Sequence, residues 1–233
     1  MSGESNRRSS GVGDDARPRS PESYTWPLVA IVVAILPQLL IPVRDRVGPP
    51  LAVPIIETAL VLIMLIVAAR PGPVSRRARP VVLVLFGALV AANAAAAARL
   101  VVLVLDGGKV DGVALTAGRL LVSGALVLAT NAITFGVLYW QLDLDGPAGR
   151  AVDPLPYPDF QFPQTTTRGL AAPDWRPRFP DYLYVAYTNI VAFSPTDTMP
   201  LTRRAKALMA LQSMISVGVL VVVLSRVINI LPG

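Results

Sequence analysis

The alternation of apolar and polar positions divides the chain into five long apolar runs: Trp26 to Val43, Leu51 to Ala69, Val81 to Leu105, Val113 to Trp140 and Ala207 to Leu231. At ~1.5 Å of rise per residue, each is about long enough to cross ~30 Å of hydrocarbon as a helix; strands are excluded because lipid tolerates no open sheet edge. The pattern predicts an all-α, polytopic helical membrane protein with about five transmembrane helices and one interfacial or re-entrant helix before the last span. The first run carries Pro37 and Pro42, so a kink or an incomplete crossing is expected there.

Polar segments complete the layout. Residues 1–25 are rich in Ser, Gly, Pro, Arg and Asp, bury too little to offset the entropy of ordering, and are expected to form a disordered cytoplasmic tail. Residues 26–140 hold the first four spans, and 141–180 form a proline-rich loop. Its spaced prolines and aromatics (PLPYPDFQFP) predict an ordered course along the surface. Residues 181–233 hold the extra helix, a break and the final span. Asp181 to Phe193 is too short and too wet to cross, and Tyr184 and Tyr187 fall on one face of a helix there. Ser194-Pro195-Thr196-Asp197 breaks that helix. Thr196, Asp197 or Thr198 is then the expected cap of the next, with Pro200 in its first turn.

Composition narrows the chemistry. Of 233 residues, 53% are hydrophobic and 15% charged, and there is neither cysteine nor histidine. Disulfides, thiol nucleophiles, Cys/His metal sites and a Ser-His-Asp triad are excluded by inventory. Asp143, Asp145, Asp153, Asp159, Asp181 and Asp197 match no metal or phosphate-transfer spacing, so no catalytic residue, metal or cofactor is expected.

The net charge of +6 comes from arginines beside apolar runs, not from a soluble basic face interleaved with aromatics, and nucleic acid is not an expected partner. With the N-terminus inside, the inner segments collect about fifteen Lys and Arg residues against about three outside (Arg44, Arg46 and Lys109). That bias predicts a cytoplasmic N-terminus and an external C-terminus. The Ala-, Val-, Arg- and Pro-rich, lysine-poor usage looks like that of a high-GC bacterial genome, and a bacterial plasma (inner) membrane is the expected location.

Every run but the first carries an ionisable residue: Glu57, Arg99, Arg119 and Arg226. Because the runs alternate in direction, all four fall at a similar depth, roughly 8 to 10 Å below one surface. One reading has the arginines snorkel to headgroups with Glu57 paired to one of them. The other gathers them into a polar vestibule with a preference for an ion, a small anionic solute or a lipid phosphate, extended inward by Asn93 and Asn131. A second candidate site is the turn region of Asp181, Asn189, Ser194, Asp197 and Arg203. The functions these sites suggest are a channel- or transporter-like bundle, or a non-catalytic subunit or scaffold whose cytoplasmic loop binds a partner or anionic lipid. Homo-oligomers fit either.

The block FPDYLYVAYTNIVAFSPTDTMPLTRRAKALM and the helix after it, with YWQLD and PDFQFP upstream, resembles a group of uncharacterised bacterial integral membrane proteins. It is also similar to the C-terminal segment of a larger family of bacterial inner-membrane proteins of unknown function. The resemblance implies a multi-pass inner-membrane protein and carries no activity. A fainter resemblance is to the pore loop and inner helix of potassium channels. Val191-Ala192-Phe193-Ser194 stands at the filter position without either filter glycine, whose freedom lets successive carbonyls face an ion.

Overall fold

The computed structural model describes residues 22–40, 79–110, 113–152, 157–167, 169–172, 175–192 and 197–230, together with Ile55, Thr58, Ala59, Leu62, Ile63 and Ile66. In chain order these form α1 (Thr25–Leu40), α2 (Arg79–Leu105), the short strands β1 (Lys109–Val110) and β2 (Val113–Ala114), and α3 (Ala117–Leu142). A 3-10 turn (Asp143–Asp145), α4 (Gly146–Val152), β3 (Phe160–Gln161), α5 (Pro163–Thr166), α6 (Phe179–Val191), β4 (Met199–Pro200) and α7 (Arg203–Ile230) follow. The described residues are mostly helical, as expected, with two short two-stranded sheets besides.

Three helices are long and apolar enough to cross a membrane: Val84–Leu105, Ala117–Asp145 and Arg203–Ile230. In the first run only Thr25–Leu36 qualifies, as a shorter apolar helix. The six described residues between Ile55 and Ile66 are helical, and Ile63 packs on the core. Most of the expected tail, most of the second run with Glu57, and Ser194 lie outside the described residues.

Caps and turns set the helix ends. The β1–β2 hairpin pairs Lys109 with Ala114 and Val110 with Val113, so the fourth apolar run begins as strand and becomes helix only at Ala117. Thr116 starts α3 by accepting the Arg119 N–H on its hydroxyl at 3.3 Å. Leu144 (φ 51°), Asp145 (φ 62°) and Gly146 (φ 80°) are all left-handed and turn the chain back after α3.

The last helix is capped differently from expectation. Thr202, not Thr196, Asp197 or Thr198, accepts the Ala205 N–H at 3.2 Å. Residues 199–200 pair with β3 instead of joining the helix, and Pro200 lies opposite Phe160. The sheet pairing holds back the start of α7.

α3 is the central element, touching α1, α2, α6 and α7. Glycines permit its closest approaches: a Cβ at Gly136 would lie 3.0 Å from Leu183 Cα of α6, and one at Gly124 3.2 Å from a Val223 methyl of α7. α6 runs antiparallel to α3. Phe179 packs on Trp140 near its start, and Asn189 near its end reaches Met209 and Gln212 of α7. The chain then returns to the end it left, because Met199 pairs with Gln161 beside the α3 terminus. Residues 143–152, 157–167, 169–172, 175–178 and 197–202 therefore form a platform across one end of the bundle. β1 and β2 close the other.

Two apolar cores fill the bundle. The platform-end core joins Phe86 and Leu89 of α2, Phe135 to Trp140 of α3, Tyr182 and Val185 of α6, and Ala205 and Met209 of α7 to Phe160 and Phe162. The hairpin-end core joins Ala97, Leu100 and Val104 of α2, Leu115 and Leu120, and Val219, Val223 and Val227 of α7. The loop expected to follow the surface instead sends Phe160, Phe162 and Phe179 inside, where their burial removes apolar area from water.

Candidate functional site

Between the two cores lies a layer of buried amides and hydroxyls. On α2 it falls at Asn93, on α3 at Asn131, and on α7 at Gln212 and Ser216, in each helix between residues of the platform-end core and residues of the hairpin-end core. Asn93 Nδ2 donates to Asn131 Oδ1 at 2.9 Å, and Asn131 Nδ2 donates to Ser216 Oγ at 2.8 Å. Tyr139 O–H and Asn189 Nδ2 both donate to Gln212 Oε1, at 2.7 and 2.8 Å, while Gln212 Nε2 donates to Ala186 O at 2.9 Å. Ser213 Oγ donates to Asn189 Oδ1 at 3.1 Å. Asn93, Asn131, Asn189, Gln212 and Ser216 are all almost completely buried.

This waist is neutral and closed on itself. Each amide donates or accepts within it, as buried polar groups must when no water is present. Such interhelical bonds contribute about 0.6 kcal/mol on average in membrane bundles, and they also set which residues of adjacent helices lie level.

A second constellation joins the platform to the bundle with charges. Glu22 Oε1 lies 2.6 Å from Arg150 Nε, and Glu22 Oε2 accepts from Trp140 Nε1 at 2.7 Å. Arg150 Nη1 also donates to the carbonyls of Trp140 (2.9 Å) and Asp143 (2.8 Å), and its guanidinium stacks 5.1 Å from the Tyr182 ring. Only 1% of Arg150 is exposed. Burial alone would push its pKa down; the Tyr182 hydroxyl and the Glu22 and Asp143 carboxylates outweigh that and hold it above its ordinary value.

Asp143 sits at the centre. Its Oδ1 accepts the Asp159 N–H at 2.7 Å, and its Oδ2 accepts Tyr182 O–H at 2.5 Å. Asp159 in turn holds Arg204 Nε at 2.6 Å and accepts the Thr202 hydroxyl. The N-terminal approach, α3, α4, α6 and α7 thereby meet in one hydrogen-bonded unit. DLDG is a turn with left-handed Leu144, Asp145 and Gly146 and a buried Asp143, and no group of His, Cys, Asp or Glu suited to a metal ion occurs among the described residues.

The residues singled out in the sequence separate by location. Asn93, Asn131 and Asn189 come together in the waist. Arg226 lies at the hairpin end and donates from Nη2 to Gly107 O at 2.7 Å. Arg99 and Arg119 are exposed on the bundle, so the three arginines do not line the buried layer. Asp181 accepts the Arg178 N–H at 2.7 Å at the start of α6, with its carboxyl pushed up by burial and held back by that bond. Asp197 and Arg203 are exposed. Gln212, Ser216, Tyr139, Glu22 and Arg150 were not singled out. Gln212 and Ser216 carried a usable signal, as polar residues inside an apolar run.

Comparison with known proteins adds no identity: no family model, no curated protein and no solved structure matches the chain.

Proposed function

We propose that this chain is a multi-pass protein of a bacterial plasma membrane that acts as a non-catalytic subunit or scaffold. In this reading the platform and N-terminus face the cytoplasm, the C-terminus lies outside, and the second apolar run supplies a fifth crossing. α1 and α2 both begin at the platform end, which supports a returning segment between them.

The observation that carries the functional reading is the contrast between a fastened platform and its uncovered apolar side chains. Glu22, Arg150, Asp143 and Asp159 fix the platform to the helices. Tyr157, Leu170, Met199 and Leu201 stay exposed, at 83%, 59%, 64% and 44%. A fixed surface presenting separate apolar anchors suits docking of another protein, and the arginines and lysine at the same end suit anionic headgroups. The resemblance to uncharacterised inner-membrane proteins fits the same placement.

A channel- or transporter-like bundle is the second reading. It is favoured by α6, a half-length helix that enters beside α3, ends next to the polar waist and returns to its starting end. Ion and solute flux into liposomes carrying the purified protein separates the two. The scaffold reading expects flux no greater than in empty liposomes, and site-specific photocrosslinks from position 170 or 199 to one recurrent partner in cells. Flux that Asn189→Leu abolishes would establish the second reading instead.

A further inference from the structure

An apolar groove of about 800 Å³ runs along the side of the bundle between α3 and α6, reaching Leu220 of α7. Its floor is shallow because α3 presents Ala125, Ala129 and Ala132 there, and its far wall is Tyr184, Tyr187 and Val191 of α6. Those three wall residues are 49%, 57% and 59% exposed, so the groove opens outward. The volume is within the ~300–1,000 Å³ typical of ligand sites.

α3 is a candidate membrane span, and the groove follows its middle turns, so its open side faces hydrocarbon. At the platform end the lining stops at Pro180. Two residues earlier stands Arg178, exposed, with the Asp181 carboxyl as its electrostatic neighbour. An apolar channel at hydrocarbon depth that ends at a cation has the polarity of an anionic amphiphile.

We propose that this groove holds an acyl chain of an anionic phospholipid, with the phosphate met by Arg178. The proposal is independent of the scaffold reading and rests only on the chain's membrane location. Burial of a methylene is favourable against water but gains little against lipid, so retention depends on fit to the groove and on the phosphate contact. Tyr184 and Tyr187 give the chain rigid aromatic walls, and the alanines let it lie close to α3.

The test is the phospholipid retained by the full-length protein after purification in mild detergent, read by native mass spectrometry and by lipid extraction. Wild type is expected to keep a stoichiometric adduct enriched in phosphatidylglycerol over phosphatidylethanolamine. Ala129→Phe, which fills the groove from an exposed position, is expected to lower retention about tenfold, the equivalent of ~1.4 kcal/mol, at unchanged thermal stability. Ala125→Leu, a smaller filling, lowers it in the same direction and stands in if the Phe variant is unstable. Arg178→Gln removes the phosphatidylglycerol preference. Wild-type retention in both filled variants would overturn the proposal, as would a dimer that Ala129→Phe turns to monomer with lipid unchanged, since the groove would then seat a second copy. An unchanged preference in Arg178→Gln would overturn the headgroup assignment.

Discussion

Asn131→Leu is the perturbation that best tests the waist. Leucine nearly matches the volume but removes the acceptor for Asn93 Nδ2 (2.9 Å) and the donor to Ser216 Oγ (2.8 Å). Ser216 keeps its own bond to Gln212 O at 2.9 Å, so its hydroxyl is not stranded. These two interhelical bonds, lost together with a longer one from Asn131 Nδ2 to Gln212 O at 3.4 Å, amount to about 1–3 kcal/mol by the range measured in membrane bundles. Asn93 Nδ2, on a residue 1% exposed, then loses its partner, for about 1–3 kcal/mol more. Leucine's better burial returns about 1 kcal/mol, leaving a net loss of about 1–5 kcal/mol. For a chain of this size that is a fall in Tm of about 2–20 °C. Thermal unfolding in one detergent at one scan rate measures it. The double variant Asn93→Leu/Asn131→Leu removes both partners and should lose less than the single one, because no stranded amide remains. A single variant within about 2 °C of wild type, or a double variant showing the sum of the two single losses, would refute the idea that these amides hold one another.

Glu22→Ala should destabilise by about 3–5 kcal/mol, since it leaves a buried guanidinium without its carboxylate, and Arg150→Met added to it should restore much of the loss; both are read by thermal unfolding. Gly136→Val should cost about 1–3 kcal/mol, because its Cβ meets Leu183 backbone at 3.0 Å and drives α6 off α3. Thr202→Val should cost about 1 kcal/mol through loss of the α7 cap. Asp197→Ala should stay within about 0.5 kcal/mol, so the reverse ranking of those two variants would show that the cap lies at Asp197 after all.

Legibility followed the range of the interaction. Long apolar runs announced α2, α3 and α7 within a few residues, because hydropathy and helical rise are local properties. Helix ends were less readable. Thr202 and Asp197 are both competent caps in isolation, and only the pairing of Met199–Pro200 with Phe160–Gln161 decides between them. Among the intramembrane polar residues, depth alone grouped the arginines, whereas helix rotation separates them: Arg99 and Arg119 turn outward and Asn93 and Asn131 inward.

By itself, then, the sequence determined a mostly helical chain without cysteine or histidine, its three helices long and apolar enough to cross a membrane, and a half-length aromatic helix before the last one. Tertiary structure decided which polar residues meet. Asn93 finds Asn131 across 38 residues, Tyr139 finds Gln212 across 73, and Glu22 finds Arg150 across 128. Such pairs leave no periodic trace along the chain, because each partner is selected by the rotation and level of a whole helix.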